Sequence, residues 1–264
     1  MSNKIIIGNQ KMNMTASEQR KFINKFVPLV EYVDFDIALC VPFTNLAICK
    51  RALKDTSIIY GAQNVSGNEK GCFTGEVSSS MLADLGCKLT LVGHSERRKL
   101  FNEKNSDINA KIKHNLRYNI TSVLCVGESK RERIADMTKE VLSKQIDECL
   151  VGLYENELEN IIVAYEPVWA IGTGQVATKN QIEEAIKIIR EEIARIYSES
   201  VAKHILVIYG GSIKPETVKT LKTVKGLNGF LVGGTSLDAE AFSQLIPRFA
   251  SPQTHRRSCC RSCF

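Results

Sequence analysis

No stretch of this sequence stays apolar for the roughly 18–20 residues that a membrane-spanning helix needs. The four histidines are scattered and share no zinc-type spacing with the cysteines, so no metal site is expected. A phosphate-binding loop of the Gly-x-x-x-x-Gly-Lys type is missing as well. The turn after the first apolar run, Gly8-Asn9-Gln10-Lys11-Met12-Asn13, is not the glycine-rich dinucleotide turn of a doubly wound open sheet. The body of the chain also lacks a basic stripe. The formal net charge is +6, but Arg256, Arg257 and Arg261 lie beyond residue 250 with no acid among them, which leaves +3 for the rest. Neither a nucleic-acid partner nor a membrane is expected on these grounds.

What is present fits one globular domain. The 264 residues are 44% hydrophobic and 24% charged, ordinary figures for a protein that buries a large core without disulfides or metals. Nine cysteines, an odd number at irregular spacing, read as reduced thiols. Met1-Ser2-Asn3-Lys4 runs straight into a strand-like segment, so no secretory leader and a cytoplasmic location are the expectation.

Short apolar runs alternate with longer amphipathic stretches throughout. Strands are expected at Lys4–Gly8, Ile37–Val41, Ser57–Gly61, Leu89–Val92, Thr121–Val126, Ile161–Glu166, His204–Tyr209 and Gly229–Val232. Thr15 with Glu18 and Thr178 with Gln181 have capping-box spacing, and Pro215 suits the first turn of a helix. Ile182, Ile186, Ile189, Ile193 and Ile196 recur every three or four residues, one apolar helix face. Strands that are apolar on both faces imply a parallel sheet covered on both sides. Eight such βα units without a long linker predict a closed (βα)8 barrel over residues 1–249. Residues 250–264 are basic, rich in cysteine and without a core pattern, and read as a disordered tail.

A parallel barrel carries its chemistry where the strands end. Those ends hold Asn9 and Lys11, Gln63 and Asn64, His94-Ser95-Glu96, Gly127-Glu128, Glu166, Tyr209-Gly210-Gly211-Ser212 and Gly233-Gly234. Glu166 closes an apolar strand and precedes Pro167 and a small-residue loop through Gly172-Thr173-Gly174, so it is the candidate base. His94 is the candidate electrophile or proton shuttle, and Lys11 a fixed positive charge. Glycine pairs at the last two strand ends can offer backbone N–H groups to a phosphate. The set suggests a small phosphorylated substrate.

The stretches Asn9-x-Lys11-Met12-Asn13, Phe73-Thr74-Gly75-Glu76, Val92 to Arg98, Ala164 to Gly174, Tyr209 to Ser212 and Leu231 to Gly234 resemble the triosephosphate isomerase family from Lys4 to about Phe249. The resemblance implies interconversion of dihydroxyacetone phosphate and glyceraldehyde 3-phosphate without a cofactor. It implies Glu166 as base, His94 as proton relay, and Lys11 and Asn9 at the developing oxyanion. Gly172, Ser212, Gly233 and Gly234 are then expected on the phosphate, with Glu96 anchoring Lys11 and Ser95 holding Glu166. Ile171 and Leu231 would form an apolar clamp over the base, with Tyr209 in support. A homodimer is implied, in which the loop carrying Thr74 inserts beside Met12–Met14 of a partner. Gln10 departs from the family, which has an aromatic there, and is expected to loosen packing beneath Lys11. Two other readings stay open at this point: a different phosphosugar isomerase, and a barrel kept as a binding or scaffold protein.

Overall fold

The computed structural model describes residues 3–30, 33, 35–170 and 176–249. Eight strands close into a parallel barrel in sequence order. They are β1 (Ile5–Asn9), β2 (Asp36–Val41), β3 (Ile59–Ala62), β4 (Leu89–Val92), β5 (Thr121–Val126), β6 (Ile161–Tyr165), β7 (Leu206–Tyr209) and β8 (Gly229–Val232). Ile5 opposite Gly229 closes the ring between β1 and β8, and Val126 opposite Tyr165 sets the register of β5 and β6.

Both faces of the strands are buried, which is why they read as continuous apolar runs. Ile5, Ile7, Cys40, Leu91, Val123, Ala164 and Leu231 point inward and pack the barrel. Ile6, Leu39, Val41, Val92, Val163 and Val232 point outward under the helices. The helix Lys179–Ile196 buries Ile182, Ile186, Ile189 and Ile193 on one face, with Ile196 half-buried at its end. Thr15 and Thr178 both close capping boxes, and Pro215 opens its helix.

The strand limits move in five strands; β2 begins one residue earlier, at Asp36, and β6 ends one residue earlier, at Tyr165. β1 extends to Asn9, whose neighbour Cys40 on β2 continues the ladder. β3 begins at Ile59, because Ile58 N–H is turned to the Thr56 hydroxyl instead. His204 belongs to a short helix, Glu199–His204, capped by Ser198, and not to β7. Arg190 donates to the carbonyls of Lys203 and Ile205 at the end of that helix. Among the described residues no helix is long and apolar enough to cross a membrane. The expected tail lies outside the described residues.

Candidate active site

Glu166 follows β6 directly. Its N–H donates to Val126 O at 2.7 Å, which extends the β5 ladder by one bond and aims the side chain over the barrel mouth. Gly127 makes that approach possible: a Cβ at residue 127 would lie 1.8 Å from Glu166 O. A side chain at Gly210 would likewise meet Glu166 Cγ at 2.9 Å and Leu231 Cβ at 3.5 Å. Glu166 is therefore bounded by backbone on two sides, and only 3% of it is exposed.

His94 caps the helix Ser95–Leu100 after β4. Its Nδ1 accepts the Glu96 N–H at 3.2 Å, and its Nε2 lies 3.1 Å from Glu166 Oε1. With the Nδ1 lone pair engaged, the ring proton belongs on Nε2, directed at the carboxylate. Charging the ring would put a second hydrogen against the Glu96 N–H. Burial pulls the imidazole down, but the Glu166 carboxylate outweighs it and leaves His94 above its usual value. Burial pushes Glu166 up, while His94, the Ser95 N–H and Lys11 together bring it below the usual carboxylate range. The Ser95 contact with Glu166 runs through the backbone: its N–H donates to Oε2 at 3.1 Å.

Lys11 sits in the left-handed region at φ 53°, costly for a side-chain-bearing residue. Asn9 Oδ1 accepts the Lys11 N–H at 3.0 Å and fixes that turn. The ammonium then reaches Glu96 Oε1 at 2.6 Å across the mouth. A cavity of about 570 Å³ opens here, lined among others by Lys11, Ser95, Ser212, Gly233 and Gly234. A Cβ on Gly234 would meet nothing within 4 Å, and one on Gly233 would come 3.4 Å from Lys11 Cε, so this glycine edge borders open space beside a cation. Such an edge suits an anion. A larger cavity of about 830 Å³ lies at the opposite end of β6 and β7, beside Glu155 and His204, and contains none of these residues.

Asn9, Lys11, His94, Ser95, Glu96, Glu166, Ser212, Gly233 and Gly234 thus gather on one rim. Leu231 packs inside the barrel near the base, and Tyr209 is buried with its hydroxyl beside Gly211. Thr74 and its neighbours from Gly71 to Glu76 are exposed, while Met14, at φ 69°, has its carbonyl bound by Asn45 Nδ2 at 2.8 Å. Ile171 and Gly172 lie outside the described residues.

Sequence reasoning missed the support behind His94. Gly93 N–H donates to Glu103 Oε1 at 3.2 Å, and Gly93 O accepts from Arg98 Nε at 2.8 Å. Glu103 Oε2 also binds Arg97 Nε at 2.5 Å and Lys111 Nζ at 2.8 Å, and Lys111 continues to Asn64 Oδ1 at 2.8 Å. No local pattern marks Glu103 or Lys111. Only their burial, unusual for charged side chains, shows the role.

Comparison with known proteins gives the family. The family model described as triosephosphate isomerase matches residues 4–249. The triosephosphate isomerase of Clostridium novyi (strain NT) is 42% identical over 246 residues, 93% of this chain and 98% of the relative. That of Geotalea uraniireducens (strain Rf4) is 43% identical over 247 residues, 93% and 98%. That of Dictyoglomus turgidum is 41% identical over 247 residues, 93% and 99%. With a closed eightfold barrel, a glutamate and a histidine in contact at its mouth, and similarity along nearly the whole length, the chain belongs to the triosephosphate isomerase family.

Proposed function

We propose that Glu166, His94, Lys11 and Asn9 carry the reaction by which this chain interconverts dihydroxyacetone phosphate and D-glyceraldehyde 3-phosphate, a step of glycolysis and gluconeogenesis. The Glu166 carboxylate takes a proton from the substrate carbon beside the carbonyl, giving an enediolate. The Nε2–H of His94 polarises the carbonyl and moves a proton between the two oxygens. Lys11 and the Asn9 amide stabilise the charge that grows on oxygen. Glu166 then returns its proton to the neighbouring carbon. The observation that supports this most is the 3.1 Å contact of His94 Nε2 with Glu166 Oε1, next to the Lys11 ammonium on the same rim.

A substrate seated between Glu166 and His94 separates them. Glu166 then loses the partner that lowered its pKa while remaining buried, so its base strength rises where it is needed. The amide edge at Ser212, Gly233 and Gly234 takes the phosphate, which does not react but whose binding energy orients the carbons. Gly172 and Ile171 complete the phosphate grip and the apolar cover in this reading. No cofactor enters it.

The working form is a homodimer in the cytoplasm. Exposed Met12, Phe73, Leu100 and Phe101, and a hollow of about 610 Å³ beside Met12, Phe43 and Arg97, support a seat for the Thr74 loop of a second copy. The unpaired state of Cys40, Cys49, Cys72, Cys87, Cys125 and Cys149 supports a reducing compartment. A coupled assay with glyceraldehyde 3-phosphate tests the activity. Turnover that disappears in Glu166→Gln is expected; turnover that survives it overturns the assignment of the base.

A further inference from the structure

Successive side chains of β1 alternate between the barrel interior and the layer under the helices. Ile5 and Ile7 point in and Ile6 points out, so Asn9 faces the site and Gln10 the helix layer. Gln10 is fully buried, and neither its Nε2 nor its Oε1 has a hydrogen-bond partner among the described residues. The helix Ala16–Phe26 turns Gln19, Phe22, Ile23 and Phe26 toward the same layer. Gln19 lies in the first turn of that helix, which begins directly after the turn that leaves β1 at Gln10. Gln19 and Asn45 are also fully buried. Asn45 Nδ2 donates to Met14 O at 2.8 Å and reaches Gln19 Oε1 at 3.4 Å, yet Gln19 Nε2 and Asn45 Oδ1 are left without partners. Turning the Asn45 amide over would deprive Met14 O of its donor, so rearranging these amides alone does not satisfy them.

Two buried donors and two buried acceptors thus stand without partners on residues flanking one turn, with Gln10 at its start and Asn45 bound to Met14 at its end. That turn is the one holding Lys11 and Met14 in left-handed backbone, with Gln10 O bound to Asn13 Nδ2 at 2.7 Å and Gln10 N–H to Cys40 O at 3.1 Å. Buried amides keep their bonds in folded proteins, and a polar enclosure with several free bonding positions is where an internal water resides. We propose that Gln10, Gln19 and Asn45 hold an ordered internal water that ties the Lys11 turn to the helix layer, making Gln10 a positioning residue for the Lys11 ammonium. The positioning half rests on the reading of Lys11 as the cation that meets the substrate. The bridge replaces the apolar packing that an aromatic at residue 10 would supply with directional bonds.

A high-resolution crystal structure of the full chain is expected to show a water within hydrogen-bond distance of the Gln10 amide and of Gln19 Nε2 or Asn45 Oδ1. Gln10→Met and Gln19→Met keep side-chain length and remove the bonds. Each is expected to lower kcat/KM and 2-phosphoglycolate affinity about tenfold, and the double variant no further, because both cut one bridge. Direct protein partners on Gln10 without a water, or a Gln10→Met enzyme within about twofold of the parent, overturn the proposal. If Gln10→Met does not fold, Gln19→Met reads the same bridge from outside the site. Lys11→Met in the same assay separates the two readings: if it keeps full activity, the functional assignment of Lys11 falls, while the water is still decided by the crystal.

Discussion

His94 Nε2 meets Glu166 Oε1 at 3.1 Å although β5 lies between their two strands. The contact exists because β5 is followed by Gly127, over which Glu166 passes, and because the helix starting at Ser95 turns its first amides back toward the mouth. One carboxylate thus receives a ring N–H and a backbone N–H from the same turn.

Glu166→Asp retracts the carboxylate by one methylene while leaving the phosphate edge untouched. The expected result is a kcat lower by on the order of 10²–10⁴-fold with KM changed far less. Steady-state kinetics in both directions check it, and a near-native turnover number rejects Glu166 as the base.

Lys11→Met removes the ammonium that binds Glu96 and borders Gly233. Substrate affinity and rate are expected to fall together. Calorimetric titration with 2-phosphoglycolate reads the affinity separately, and unchanged binding would remove Lys11 from the phosphate and oxyanion contacts.

Gly210→Ala places a methyl 2.9 Å from Glu166 Cγ. The base must move, whereas the barrel, bonded here through Gly210 N–H to Tyr165 O, keeps its ladder. A loss of about 100-fold in kcat with an unchanged circular dichroism spectrum is expected. Full activity would mean that Glu166 tolerates more freedom than its surroundings suggest.

Glu103→Gln tests the buried support of Gly93. Burial pushes the Glu103 carboxyl up, but Lys111 and Arg97 overcome this and hold it below the usual range. A depressed carboxylate contributes stability above its unfolded value, near pH 4.3, and loses it as the pH falls through the folded value. The variant should lose this acid-dependent part and about 3–5 kcal/mol of stability near neutral pH, since Lys111 is left buried without its charged partner. Urea unfolding of parent and variant from pH 3 to 7 measures both effects. Parallel stability curves would show that the Glu103 carboxyl titrates alike in the folded and unfolded chain, which overturns the depressed value.

Cys72 is the exposed thiol among the described cysteines, whereas burial pushes Cys49 and Cys87 up to about 12 and Cys149 to about 11. A bulky maleimide should therefore label Cys72 first and, if the Thr74 loop seats in a partner, split the dimer. Sedimentation velocity after complete Cys72 labelling decides; an unchanged dimer would place Cys72 away from the interface.

Eight apolar runs, two capping boxes and a proline-started helix were all readable along the chain, because strand and helix periods and cap chemistry act over a few residues. The same locality placed Asn9, Lys11, His94, Glu166 and Gly233 at strand ends, hence on one rim once the barrel is granted. The failures were local as well: the pattern around His204 suits a strand, but Ser198 and Arg190 turn it into a capped helix.

The amino-acid order alone determined the barrel and the candidate residues, since a parallel strand buried on both faces leaves chemistry nowhere to go but its end. Only the tertiary structure decided that Ser95 meets Glu166 through its backbone, that Gly127 and Gly210 make room for Glu166, that Glu103 and Lys111 stand behind His94, and that Gln10, Gln19 and Asn45 are all fully buried. Each of these depends on atoms brought together from separate βα units, and no short-range pattern carries the distance between them.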